Sequence, residues 1–418
     1  MELNYFNMPF AKKLFKNKKI KQKVNNCLNY LFSPECEMTG WIEYPVNYDK
    51  TEFKKIKEVS KKIIKNSDVL LVVGIGGSYL GANAGIELLK NNKGKEVRFV
   101  GTNFSARDLL EHLEYCKNKD VTINLISKSG GTTEVLIVMK ILEDYLKKKY
   151  KKNYQDRIII TTDATKGYLR EYANINNIET FTVPSDIGGR YSVLTSVGLL
   201  PFAVAGLDIN KIMQGAKVAH DEFKINEFEN NNVYKYSILR NFLYSDKKYA
   251  TEVLGSFDPY MESFGKWWQQ LFAESEGKDE KGLFVCPLSY SKDLHSVGQF
   301  VQQGKRNLIE TFIYEENENK DVLIEGLQED SPIKYLEGKS FSEINKCAYL
   351  GTLSAHKNTG MPIFEMKIEK IDEYNLGYLY YFFEASCALS GLLLGVNPFN
   401  QPGVEDYKTN MKNLLKNN

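Results

Sequence analysis

Residues 68–82 read DVLLVVGIGGSYLGA. After the single aspartate, Val69–Val73 is an unbroken apolar run. That is the pattern of a strand buried on both faces, and so of a parallel sheet covered by helices. The run opens into Gly74-Ile75-Gly76-Gly77-Ser78 and then into a helical stretch from Leu80 to Lys90. The same grammar recurs further along. Val97–Gly101 reads as a second short strand, followed by a helix-like segment, Ala106–Tyr115. Val121–Ile126 reads as a third strand, opening into Ser127–Gly131 and a long helix to about Lys148. Arg157–Thr162 (RIIITT) reads as a fourth. Strand, polar Gly/Ser turn and helix in repetition predict a doubly wound parallel α/β sheet.

The second half follows this pattern less cleanly. Tyr249–Leu254, Leu283–Cys286, Leu308–Tyr314 and Ile363–Ile368 are strand candidates, and Leu376–Leu394 is a long, mostly apolar helix. The expected division is a helical N-terminal lead-in over 1–45, a first α/β domain over 46–208, a second over 209–395 and a C-terminal arm over 396–418. No Gly/Ser/Pro linker marks the boundary near Leu207–Asn210, so the two sheets are expected to pack closely.

At 418 residues, 43% hydrophobic and 26% charged, the chain can build a sizeable core. Its 55 basic and 53 acidic residues leave a formal charge of +2, which gives no overall attraction to nucleic acid or to an anionic membrane. Any anion must therefore be held locally. The six cysteines form no C-x-x-C pair and are read as reduced thiols. With neither a signal-like start nor an apolar run of membrane-spanning length, a cytoplasmic location is expected.

Two loops are shaped for phosphate. Gly74–Ser78 lies between a buried strand and a helix, where glycines let the backbone approach a ligand and the helix N-terminus offers free N–H groups. A dinucleotide fingerprint would need glycine at position 79, which is Tyr79, and the second strand ends in Gly101-Thr102-Asn103 without an acidic ribose ligand. The second loop, Ser127-Lys128-Ser129-Gly130-Gly131-Thr132-Thr133, sets four hydroxyls, two glycines and a lysine within seven residues. Such a donor set suits a terminal phosphate, with Lys128 available as a point charge. It lacks the G-K-[ST] of a Walker loop. The alternative is a helix cap made by Ser129 or Thr132.

The four histidines, His112, His220, His295 and His356, show no metal-ligand spacing, and no cofactor is expected. His112 and His220 lie in charged helical stretches and read as solvated. His356 sits beside a turn without an evident partner. His295 lies near the start of a helix. Glu274 ends a helix containing Trp267 and Trp268, and a carboxylate beside aromatic rings suits a general base. Arg190, in Gly188-Gly189-Arg190-Tyr191, is placed for an anion contact, with a structural salt bridge as the alternative.

Taken together, GIGGSYLGA (74–82), SKSGGTTE (127–134), GGRYSVLTSVGLLP (188–201), ESEGK (274–278), DLHSVGQ (293–299) and NPFNQPGVEDYK (397–408) resemble the glucose-6-phosphate isomerase family in its shorter bacterial form. The resemblance implies two sugar-isomerase (SIS) three-layer α/β/α sandwich domains with parallel sheets, plus a C-terminal helical arm. It implies interconversion of glucose 6-phosphate and fructose 6-phosphate without a cofactor. Glu274 then matches the base that moves a proton between C2 and C1, His295 and Lys408 the ring-opening pair, and Arg190 the cation beside the enediolate. Ser127, Ser129, Thr132 and Gln401 match phosphate contacts, with Lys128 in the same loop and Gly76 and Ser78 beside the sugar. The family's matching histidine comes from a partner chain, which implies a homodimer with shared sites. One departure is Gly131, where many members carry threonine.

Three neighbouring functions share parts of this pattern. A sugar-phosphate-sensing regulator would use the loops without Glu274 or Lys408, and would carry a DNA-binding helix-turn-helix that neither end shows. An aminosugar-phosphate enzyme would need an ammonia-handling domain or another base. A bifunctional glucose/mannose phosphate isomerase shares every feature above.

Overall fold

The structure is a computed structural model that describes residues 1–91, 93–317 and 321–417. Its strands are β1 (Glu2–Phe6), β2 (Val69–Val73), β3 (Glu96–Val100), β4 (Val121–Ser127), β5 (Ile158–Thr162), β6 (Glu179–Thr182), β7 (Thr251–Ser256), β8 (Phe284–Ser289), β9 (Leu308–Glu315) and β10 (Ile363–Ile368). They form two five-stranded sheets, ordered β3-β2-β4-β5-β6 and β1-β10-β9-β7-β8. The first sheet is parallel throughout. In the second, only the β1–β10 pairing is antiparallel.

Both sheets share one plan. Counted within the first sheet the order is 2-1-3-4-5, and β7 to β10 repeat its first four places as 2-1-3-4. The strand order reverses between β2 and β4, and the crevice beyond the carboxyl ends at such a switch point is where open α/β sheets bind ligands. The two phosphate-shaped loops leave those two strands. Register fixes their level, because Val73 at the end of β2 pairs with Leu125, two residues before the end of β4.

The helices that position the site are α1 (Leu80–Leu88), α2 (Thr133–Tyr150), α3 (Ile209–Phe223), α4 (Met261–Glu276), α5 (Glu373–Leu394) and α6 (Glu405–Asn417). α5 is apolar nearly all round and correspondingly buried. It crosses α3 backbone to backbone. A Cβ on Gly377 would lie 1.8 Å from the Ile212 carbonyl oxygen, and one on Gly215 equally close to that of Tyr374. One continuous core takes in Leu70 and Val72 of β2, Leu254 of β7, Ile309 of β9, Phe364 of β10 and both α4 tryptophans. The two sheets are therefore welded through α4 and α5.

One expectation needs correction. The lead-in over 1–45 is not wholly helical, since its first residues form β1 and close the edge of the second sheet. That strand reads poorly because one side of ELNYF is charged or polar. β6, with the short sequence ETFT, was likewise unmarked. All six cysteines are free thiols.

Candidate functional site

Five segments converge at the switch point of the first sheet: the loops after β2 and β4, the Gly188–Tyr191 turn, the end of α4 and the segment after α5. The first and third touch through their backbones. A Cβ on Gly77 would sit 2.2 Å from the Gly189 carbonyl carbon, so only glycine permits this approach. Gly76 adopts φ +57 and faces α4, its absent Cβ 2.9 Å from the Gln270 amide nitrogen.

The loop after β4 has its hydroxyls turned inward on one another. Ser127 Oγ lies 2.7 Å from Thr132 Oγ1 and 3.5 Å from Ser129 Oγ, while Thr162 Oγ1 donates to the Ser127 carbonyl at 2.7 Å. Thr132 occupies the N-cap of α2 but its side chain caps nothing. The first N–H groups of this 18-residue helix thus point at the loop with no side-chain partner, as an anion site requires. The helix-cap alternative for Thr132 is excluded. Ser129 Oγ instead accepts from the Gly131 N–H at 3.3 Å. A Cβ at Gly131 would meet nothing within 4 Å, so the space a threonine would use stands open.

Lys128 departs from expectation. Its ammonium, read as a point charge toward phosphate, donates to the carbonyls of Ser185 and Ile187 at 2.8 and 2.9 Å. Desolvation in this position holds it below the ordinary lysine value. It ties the phosphate-shaped loop to the segment leading into Arg190. Lys128→Met is therefore expected to disturb both ends of the substrate, raising KM and lowering kcat each by roughly tenfold, the scale of one or two charge-assisted hydrogen bonds. Steady-state kinetics check this, since a pure phosphate contact would move KM alone.

Arg190 is the hub, 3% exposed. Nε donates to Ser275 Oγ at 2.8 Å, Nη1 to Gln401 Oε1 at 2.8 Å and to Glu274 Oε2 at 3.3 Å, and Nη2 to the carbonyls of Pro398 and Asn400 at 2.6 and 3.0 Å. The salt-bridge reading of this arginine is realised, as an ion pair with the candidate base. The Glu274 side chain remains 32% exposed, and its other oxygen accepts from Gln270 Nε2 at 3.0 Å. Its neighbours are this amide and guanidinium. Trp267 and Trp268 turn into the core. The last turn of α4 is pinned from behind. Buried Arg240 bonds Glu276, two residues past Glu274, and also Glu252 of β7.

Gln270 and Ser275 escaped the sequence reading. Gln270 stands four residues before Glu274, hence on the same helical face, and that spacing is the one signal that could have found it. The remaining candidates lie apart. Lys408 on α6 pairs with Glu405 at 2.8 Å, a hydrogen bond that holds its ammonium above the ordinary lysine value. His295 follows the edge strand β8, is exposed, and has no side-chain hydrogen bond among the described residues. The other histidines are not as expected. His220 is buried between Asp221 and Glu43, His356 is buried against Glu310 of β9 at 2.7 Å, and His112 accepts from Arg98. Among the described residues, no three His, Cys, Asp or Glu side chains group as metal ligands.

A partly exposed carboxylate, a buried cation against it and a helix N-terminus without a side-chain cap at the neighbouring strand end are the equipment that an aldose–ketose isomerase acting on phosphorylated sugars would use. Comparison with known proteins narrows that class. Residues 52–418 match the phosphoglucose isomerase family model, and the chain belongs to that family. It is 48% identical over 387 residues to a glucose-6-phosphate isomerase of Fusobacterium nucleatum, covering 90% of this chain and 86% of the relative. It is also 48% identical over 386 residues to one of Staphylococcus epidermidis, covering 91% and 87%. In structure it resembles a hypothetical protein of Thermus thermophilus, with a TM-score of 0.91 at 25% identity over 99% of this chain and all of that one. A glucose-6-phosphate isomerase of Chlamydia trachomatis shares the fold, with a TM-score of 0.83 at 16% identity over 97% and 86%.

Proposed function

We propose that this chain interconverts glucose 6-phosphate and fructose 6-phosphate, the isomerisation shared by glycolysis and gluconeogenesis. The observation that carries the reading is the Glu274 carboxylate, partly open and held by Arg190 and Gln270 beside the loop after β2. The phosphate sits at Ser127, Ser129 and Thr132 on the N-terminus of α2, with Gln401 closing over it and Gly76 and Ser78 against the sugar. His295 and Lys408 open the ring, one proton leaving the C1 hydroxyl and one reaching the ring oxygen. Glu274 takes the C2 proton, and the electron pair moves onto the carbonyl oxygen to give an enediolate. Arg190 stabilises that charge. Glu274 returns the proton to C1 while a hydroxyl proton passes from O2 to O1. The step is redox-neutral within the sugar. Phosphate binding far from the reacting carbons supplies orientation.

A coupled assay from fructose 6-phosphate to glucose 6-phosphate, with and without prior dialysis against a strong chelator, tests this. Turnover unaffected by the chelator supports it, and no turnover of this substrate rejects it. A parallel arm with mannose 6-phosphate decides whether the activity is single.

The working unit in this reading is a cytoplasmic homodimer in which His295 enters the partner's site. Supporting it are the exposure of His295 and of its apolar neighbours Val297 and Phe300, at the edge where β8 ends the second sheet. Among the described residues, no helix is long and apolar enough to cross a membrane. Co-expression of a His295→Ala chain with a Glu274→Ala chain is the test. Random pairing makes about half the dimers mixed, and each mixed dimer has one intact site, so the pool should regain roughly a quarter of wild-type activity. No recovery despite mixed dimers seen by mass spectrometry would place His295 in its own chain's site.

A further inference from the structure

After α5 the backbone is irregular. Gly395 caps the helix at φ +78, and Asn397–Gln401 then runs across the end of α4. Irregular backbone in a packed setting needs donors for its carbonyls. Arg190 supplies those of Pro398 and Asn400. The carbonyl of Asn397 is met by Lys278, whose Nζ donates to it at 2.6 Å and to the carbonyl of Ser275 at 2.8 Å. One ammonium thus joins the helix end that carries Glu274 to the segment that carries Gln401 and leads to Lys408. The Phe399 ring, buried against Tyr191 and Trp41, holds the middle of the same segment.

We propose that Lys278 is a positioning residue that fastens the C-terminal arm to the base-bearing helix, and so sets the span between the proton-transfer carboxylate and the phosphate and ring-opening groups. The proposal rests on the isomerase reading of this site.

Its placement is costly, which argues against a merely stabilising role. Desolvation first, and then the neighbouring Arg190, push Lys278 down to about 8, against the opposing pull of Cys387 on α5 and of Glu274 and Asp279 near it in sequence. The folded value lies below the unfolded one. Between about pH 8 and the ordinary lysine range the unfolded chain therefore binds more protons, and folding stability contributed by this group rises with pH. A lysine that stabilised the fold through its charge would show the opposite slope. Neutral Lys278 keeps two N–H donors for its two carbonyls, so the arm stays fastened through this range.

The test is Lys278→Met in the full-length protein, read by hydrogen exchange and by kinetics. Amides of 397–410 are expected to exchange at least roughly tenfold faster, and KM for fructose 6-phosphate to rise by roughly tenfold with a smaller loss in kcat, the scale of two charge-assisted hydrogen bonds. Lys278→Arg, which keeps donors for both carbonyls, should recover most of the KM and the slow exchange. Should the methionine variant fail to fold, Lys278→Gln, too short to span both carbonyls, decides on the same readouts. Unchanged arm exchange, or a fall in melting temperature with KM intact, overturns the proposal. Hydrogen exchange needs no turnover, so a wild-type protein without isomerase activity would reject the functional reading and leave this measurement standing.

Discussion

Glu274→Gln is expected to lower kcat by about 10²–10⁴-fold, the contribution of a positioned general base, while affinity for a phosphate-bearing inhibitor changes little. The geometry makes this substitution a clean one. The two carboxylate oxygens accept from opposite donors, Arg190 and Gln270. A carboxamide can keep its oxygen toward Arg190 and present its NH2 to Gln270. Gln270 can then turn its own amide, whose oxygen is buried without a hydrogen-bond partner among the described residues, to accept from it. Shape and hydrogen bonding survive, and only the proton acceptor is lost. Incorporation of solvent deuterium at the transferred position should disappear with kcat. A variant retaining more than about a tenth of wild-type kcat would remove Glu274 from the role.

Arg190→Met is expected to cost both chemistry and stability. On the proposed mechanism, removing the cation beside the enediolate is expected to cost about 10²–10³-fold in kcat, by analogy with loss of one oxyanion donor. The five hydrogen bonds it makes are lost as well. Buried acceptors left unpaired cost about 1–3 kcal/mol each, so a clear fall in melting temperature accompanies the kinetic loss. Arg190→Lys separates the two effects. It keeps a charge near Glu274 but cannot reproduce a planar fork spanning Ser275, Pro398 and Gln401. Its kcat should recover partly and its melting temperature less. A methionine variant with wild-type kcat would remove Arg190 from the chemistry.

What the sequence revealed follows from how local each signal is. Strands buried on both faces, such as VLLVV and VTINLIS, carry their burial in every residue and were read within one or two positions. β6 and β1 lie at sheet edges, where most residues are only half-buried and the pattern dilutes. The phosphate-shaped loops were legible because their donors lie within a few residues of one another. Roles created by distant partners were not. Lys128 looked like a ligand contact until its carbonyl partners 57 and 59 residues away came into view. Lys278 meets Asn397 across 119 residues, and nothing in ESEGK announces it. His220 sits in a helix whose charges read as a solvated face, yet it is buried against Glu43 from another element.

The pairing of β1 with β10 carries a consequence for how the chain is made. Asn4 bonds Glu365, 361 positions further on, so β1 leaves the ribosome long before the strand it pairs with. At about 5–20 residues per second, roughly 20–70 s of synthesis separate the two. During that time Glu2–Phe6 is an unpaired strand on a tether, and once β10 emerges its outer edge stays open until the tether returns. Any nascent chain stopped short of residue 363 lacks the strand that receives it. Closing the second sheet thus waits on a strand made far later in the chain, and β1 serves as its clasp.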